Sequence, residues 1–374
     1  MKIALIVPGG VDRSGRERVI PALLCLIERL AARHRLLVIA LEQEATPASY
    51  ELLGAQVINL GRSPARLPGF GFGQRLRQSL AALAAHGGAD VIHAFWLGAT
   101  STLALGVGRW RNIPVVASIG GGELTWLPDI GYGGAGSWRH RQQVRLALRF
   151  AQAITGGSRF VLAPVLPIRP DARLVPLGVD VRRVAGDLPA VAGPPGPPWR
   201  LLHAASINRV KDQATLLQAL RLLADQAAEV HLDWFGGDTL GGELQRQVSA
   251  LGLERHVTLH GVQPSDVLAP YFRQAHLYVQ SSRHESQGVA VCEAAAAGAP
   301  TVGTAVGLVA ELAPHAAWAA PVGDAAGLAA GILTLLADPA ERDRRGRAAQ
   351  AWAQTFDADW TAAAFEAIYQ EVIG

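Results

Sequence analysis

The chain has 374 residues, half of them hydrophobic, and 34 Lys+Arg against 31 Asp+Glu give a formal net charge of +3. That length predicts two domains with a core each. No apolar run reaches the roughly 18 residues of a membrane-spanning helix, and MKIALIVPGG turns to glycine too early for a signal peptide, so a cytoplasmic protein is expected. Cys25 and Cys292 sit in apolar helical patterns without metal-ligand spacing and read as core residues. Residues 1–186 carry 22 basic and 11 acidic side chains, and residues 187–374 carry 12 and 20. The split points either to an anionic partner for the first half, such as a membrane surface or a phosphate-bearing acceptor, or to an arginine-rich solubilising face; no nucleic acid is expected.

KIALIV opens the chain as a buried parallel strand, followed by PGGVDRSGRER and an amphipathic helix through about Arg33. LLVIAL and QVINL read as further strands. GRSPARLPGFGFGQR, with Phe70 and Phe72 between glycines, reads as a mobile lid on the acceptor side. ADVIHAFW, a helix over Ala99–Trp110 and PVVASI continue the alternation, with His93 inside the first of these as a core histidine or a site residue. In SIGGGELTWLPDIGYGGAG, Glu123 and Trp126 are candidate acceptor contacts, since an indole face stacks on sugar rings; a structural tryptophan is the other reading. Ser137–Phe150 is a basic helix with Arg141, Arg145 and Arg149 on one face, suited to solvent or to anionic headgroups.

GDLPAVAGPPGPP is too rich in Pro and Gly for regular structure and marks a crossing between domains. The expected organisation is residues 1–186 as the first domain, 187–198 as linker, 199–355 as the second domain and 356–374 as a helix returning to the first. The second half repeats the strand–loop–helix alternation. In SINRVKDQATLLQAL, Asp212 caps a helix, and Arg209 and Lys211 stand at the loop mouth where an oxyanion is already favoured. Only two lysines occur against 32 arginines, which makes Lys211 informative.

LYVQSSRHESQGVAVCEAAAAGAPT then reads as strand, acidic glycine-containing loop, helix and Gly stop. Amides from Gln287, Gly288 and Val289 at the helix start point toward bound phosphate. Glu285 in the loop reaches for a sugar beyond the phosphates, and Glu293, leaning back toward the helix start, reaches for a ribose diol.

Loop, helix and the Lys211 motif together resemble the donor-binding region of family 4 GT-B glycosyltransferases, which are retaining and use nucleotide sugars. The resemblance implies an α/β fold of two Rossmann-like doubly wound domains facing across a cleft, with a nucleotide-sugar donor and an acceptor hydroxyl as partners. It places Gly15 near the donor phosphates, His93 at a position where the family often has His, and Gly261 and Val262 at the nucleotide base. Lys211, with Arg209 as the nearest further cation, falls at the diphosphate, and no metal or other cofactor is implied. Gly120 stands where the family's His-Gly segment has the His. A phosphorylase or nucleotide-sugar epimerase of the same fold, and a non-catalytic nucleotide-sugar binder, are the alternatives.

Overall fold

The computed structural model of the chain describes residues 1–62, 70–186 and 196–374. They form two compact units, Met1–Leu177 with Ala358–Gly374, and Gly178–Asp357.

The first unit begins with β1 (Lys2–Val7), α1 (Pro21–Ala31) and β2 (Arg35–Ala40), followed by β3 (Ala48–Leu52) and β4 (Ala55–Asn59). Then come α2 (Phe70–Ala85), β5 (Val91–Phe95), α3 (Ala99–Arg111), β6 (Val115–Ile119) and α4 (Trp138–Phe150). β7 (Ala153–Gly156), α5 (Arg159–Leu162) and β8 (Arg173–Leu174) complete the succession. The strands form one sheet in the order β3-β4-β2-β1-β5-β6-β7-β8. All pairs are parallel except β3–β4, a hairpin whose turn has Leu53 and Gly54 at positive φ. In β1 every residue but Lys2 is buried, as a central strand covered on both faces requires. β3 has no counterpart among the sequence expectations: an edge strand with one wet face lacks the continuous apolar run that marks its neighbours.

The expected lid changes character. Residues 63–69 lie outside the described residues, but Phe72 belongs to α2 and packs toward Gly106 of α3. The two glycines that suggested a loop are tolerated because the helix finds a packing partner.

The second unit starts with α6 (Val181–Ala185), β9 (Trp199–Ala204), α7 (Gln213–Asp225), β10 (Val230–Phe235), α8 (Glu243–Ala250) and β11 (Val257–Gly261). It continues through α9 (Ser265–Gln274), β12 (Leu277–Gln280), α10 (Val289–Ala296), β13 (Thr301–Thr304), α11 (Gly307–Leu312) and β14 (Ala317–Ala320). Last are α12 (Ala325–Ala337) and α13 (Pro339–Thr355). The six strands are parallel in the order β11-β10-β9-β12-β13-β14, a doubly wound sheet. One core, with Leu216, Leu220 and Ile332, packs against one face of the sheet; another, with Phe272, Val291 and Leu308, packs against the other.

α14 (Ala358–Ile373) returns to the first unit, where Phe365 and Tyr369 join the core of β1 and α1. Thr361 Oγ1 donates to the Pro176 carbonyl at 2.7 Å, and His34 Nε2 lies 2.7 Å from Glu366. The changes of unit fall at Leu177/Gly178 and Asp357/Ala358, upstream of the expected 187–198 linker on the first crossing. The reason is α6, which packs on α9 and α10 and so carries its segment into the second unit. Residues 187–195 of that linker lie outside the described residues.

Candidate functional site

In the second unit β9 and β12 lie side by side, yet the sheet is built outward from them in opposite directions. Their following loops diverge and leave a crevice at the carboxyl ends, the position where open α/β sheets bind ligands. The loop after β9 closes with a single 3-10 turn over Arg209–Lys211, and Asp212 then caps α7. Two hydrogen bonds tie this loop to the one after β12: Arg283 N donates to Val210 O at 2.8 Å and Ser281 Oγ to Lys211 O at 2.8 Å.

The side chains follow the backbone. Lys211 Nζ lies 2.5 Å from Glu285 Oε1, and Ser282 Oγ donates to the same oxygen at 2.6 Å. The pair is mostly shielded, with side-chain exposures of 21% and 11%. Such a charge-assisted bond in reduced dielectric fixes the orientation of both side chains. Gly307 presses on this loop from α11: a Cβ there would lie 2.7 Å from Glu285 Cβ and 2.6 Å from Gln287 O. Only a glycine lets the two loops close around the carboxylate.

α10 starts at Val289, with Gly288 as its cap. The amides directed at the crevice are therefore those from Val289 onward. Gln287 lies just before the helix, buried, with its side-chain amide donating to Cys292 Sγ at 3.0 Å. Glu293, one turn into α10, is 8% exposed, and burial pushes its carboxyl up to about 7. Arg209 is exposed in the turn that carries Lys211. Gly261 ends β11 and accepts from Gly236 N at 2.8 Å, with Val262 beside it 66% exposed. Sequence order alone spreads these residues over 85 positions; β9, β12 and β11 deliver them to one end of one sheet.

In the first unit the expected site residues fare differently. Gly15 lies in the loop after β1, its amide donating to Asp12 O at 2.9 Å. His93 is fully buried within β5: Nδ1 is 2.6 Å from Tyr369 Oη, Nε2 is 2.7 Å from Ser118 Oγ, and burial lowers the imidazole to about 3. It is a neutral core group, which overturns its reading as an acceptor contact. Glu123 is also withdrawn, because its carboxylate accepts from the amides of Leu97, Gly120 and Gly121 at 3.1, 2.9 and 2.6 Å. It stitches the β5 and β6 loops together, and three backbone donors leave it little capacity for a substrate. Trp126 is 46% exposed and lies over Gly136.

Gly120 has a local cause. A Cβ there would stand 2.7 Å from the indole of Trp96, which follows β5 with φ of 68°. A bulky residue held in the left-handed region is a marker of functional strain, and here its ring fills the space a side chain at position 120 needs. Sequence reasoning did not single out Trp96, Ser282 or Gly307. The Ser-Ser pair ending the β12 segment was visible, but nothing in it specified which carboxylate it would meet.

Residues 187–352 match the family model described as glycosyl transferases group 1, and residues 22–183 match the model described as glycosyltransferase family 4. A D-inositol 3-phosphate glycosyltransferase from Arthrobacter sp. (strain FB24) is 34% identical over 180 residues, 46% of this chain and 43% of that protein. The amylovoran biosynthesis glycosyltransferase AmsK from Erwinia amylovora is 30% identical over 146 residues, 37% of this chain and 36% of that protein. The matched stretches thus span under half the length of these relatives. Among solved structures, sucrose-phosphate synthase from Thermosynechococcus elongatus superposes with a TM-score of 0.80 at 20% identity, covering 100% of this chain and 99% of that one. Anabaena HepE in complex with UDP and glucose gives 0.74 at 21%, covering 99% of each chain. At these identities the likeness shows the fold, which is the expected GT-B class.

Proposed function

Because the chain belongs to the group 1, family 4 glycosyltransferases, we propose that it moves a sugar from a nucleoside diphosphate sugar to an acceptor hydroxyl, with retention at the anomeric carbon and without a metal. The observation that carries this reading is the Lys211–Glu285 pair, set at the divergence of β9 and β12 beside the start of α10.

In the proposed reaction the bond between the anomeric carbon and the diphosphate oxygen breaks, and one to the acceptor oxygen forms. The acceptor proton leaves with the departing diphosphate or to solvent. Negative charge grows on the diphosphate, and groups aimed at it lower the barrier because they interact more strongly with the transition state than with the donor. Lys211, Arg209 and the α10 amides supply the positive charge that offsets it. Glu285 holds Lys211 in place through Oε1, shared with Ser282, and orients the donor sugar. Glu293 takes the ribose, and Gly261 with Val262 borders the base.

The HepE complexes contain UDP, glucose or UDP-glucose, which supports a uridine diphosphate sugar as the first donor to try. The name of the Arthrobacter relative supports a phosphorylated polyol among the acceptors. The test is a donor and acceptor panel scored by released nucleoside diphosphate, with and without a chelator, and by product anomeric configuration from NMR couplings. Turnover that survives chelation and retains configuration is expected. Calorimetric binding of nucleotide without turnover on any acceptor sinks the transferase reading in favour of a binder, and turnover with orthophosphate or water alone moves it to a phosphorylase or epimerase.

A further inference from the structure

The first unit carries a second concave feature, at the opposite end of its sheet. A groove of about 810 Å³ opens between the carboxyl ends of α3, α4 and α14, next to Val115, the first residue of β6. Leu105, Ile113, Leu146, Phe150, Val372 and Ile373 line it. Around it stand large apolar side chains in solvent: Trp110 is 72% exposed, Phe150 55% and Ile373 43%. Beside the end of α4, where the carbonyls of Leu148 and of Ala151 just after the helix accept from Arg169, Ile168 is 65% exposed. Burying such residues is favourable, and a contiguous apolar patch of this kind marks an interaction surface.

Two of the helices beside the groove are basic. α3 and α4 carry Arg109, Arg111, Arg139, Arg141, Arg145 and Arg149 and contain no Asp or Glu. The carboxylates of adjoining segments, Asp171 and Glu371, are each held by an arginine, Arg169 and Arg173. The excess of positive charge on α3 and α4 disfavours pairing of this face with a second copy of itself. An anionic partner with an apolar interior satisfies both features. No described helix is long and apolar enough to cross a membrane.

We propose that this face, Trp110 and Phe150 with Arg109, Arg111, Arg145 and Arg149, docks the protein on a bilayer rich in anionic lipid, with the groove accepting apolar lipid and the arginines the headgroup phosphates. Arginine stems lie along apolar surface while their guanidinium groups stay at the phosphate level, and Trp and Phe anchor at the headgroup boundary. The surface requires no sugar donor, so it stands independently of the transferase reading.

The test is co-sedimentation of the full chain with phosphatidylcholine vesicles, with and without about one third phosphatidylglycerol. Binding to the anionic vesicles alone, weakened by salt, is expected. Arg145→Gln and Arg149→Gln should each lower partitioning about fivefold. Trp110→Ser with Phe150→Ser should abolish it, and because both side chains are solvent-exposed the thermal unfolding curve should stay unchanged. Soluble glycerol phosphate at matched phosphate concentration should not compete; competition would reduce the site to a free-phosphate site and overturn the bilayer assignment. Equal sedimentation of wild type and the Trp110→Ser/Phe150→Ser variant, no binding to anionic vesicles, or light-scattering evidence of a dimer lost in that variant would each overturn it as well.

Discussion

Lys211 Nζ and Glu285 Oε1 meet at 2.5 Å across two loops that are 74 residues apart in sequence. The contact couples the two strands from which the second sheet diverges, so one ion pair both orders the crevice and arms it. Lys211→Ala leaves Glu285 shielded without its cation, which should cost about 1–3 kcal/mol of stability. It should also lower kcat by roughly 10²–10³-fold through lost stabilisation of the diphosphate. Glu285→Gln should keep nucleotide affinity while lowering kcat. Chemical denaturation and steady-state kinetics on the two variants separate the roles; a Lys211→Ala enzyme with wild-type kcat rules out the diphosphate assignment.

Glu293 predicts an unusual pH response. Its folded-state value of about 7 lies above the ordinary 4.5 because burial penalises the carboxylate. The stability associated with its neutral form is fully present below 4.5 and is lost as pH rises through 7. Glu293→Gln never pays that penalty. Its unfolding free energy should match wild type near pH 4.5 and exceed it by on the order of 3 kcal/mol at pH 8. Nucleoside binding should weaken about tenfold in the same variant, since the ribose loses its carboxyl partner. Melting curves across pH with nucleoside titrations check both, and a pH-independent difference in stability refutes the first.

His93 works in the opposite direction. Burial holds it neutral, with a folded-state value of about 3 against an ordinary 6.5. Its contribution is present above 6.5 and is lost as pH falls from there toward 3, amounting to about 2 kcal/mol by pH 5. His93→Gln should flatten that acid dependence and lower stability at pH 8 through the bonds to Tyr369 and Ser118, while KM for either substrate stays within about twofold. A large KM change without a stability change restores His93 to the acceptor side.

Trp96 and Gly120 should behave as one element. Gly120→Ala places a Cβ 2.7 Å from the indole, an overpacking that should cost about 1–3 kcal/mol. In the Trp96→Ala background the same change should cost well under 1 kcal/mol. A double-mutant cycle by denaturant unfolding measures this, and additive effects mean that the indole is not what excludes a side chain at position 120.

The alternation of apolar strands and helices was legible almost throughout, because strands buried on both faces need uninterrupted Val, Ile, Leu and Ala. A cap was equally legible: Asp212 caps α7 as its local sequence requires. β3 escaped because a half-wet edge strand carries no such run. α2 escaped because its glycines mimic a loop until α3 supplies a packing surface.

By itself, then, the sequence determined the two α/β cores, the helix termini and the positions of Lys211, Glu285 and Glu293 on loops and a helix start. These follow from hydrophobic periodicity and hydrogen-bonding chemistry, which act over a few residues. Only the tertiary structure decided which polar groups are spent. His93, Glu123 and Lys211 look alike as polar residues beside apolar strands. The first is consumed by Tyr369 and Ser118, the second by three backbone amides, and the third faces Glu285 in a crevice. Strand order sets those partners, and strand order is a property of contacts between distant segments that no local pattern encodes.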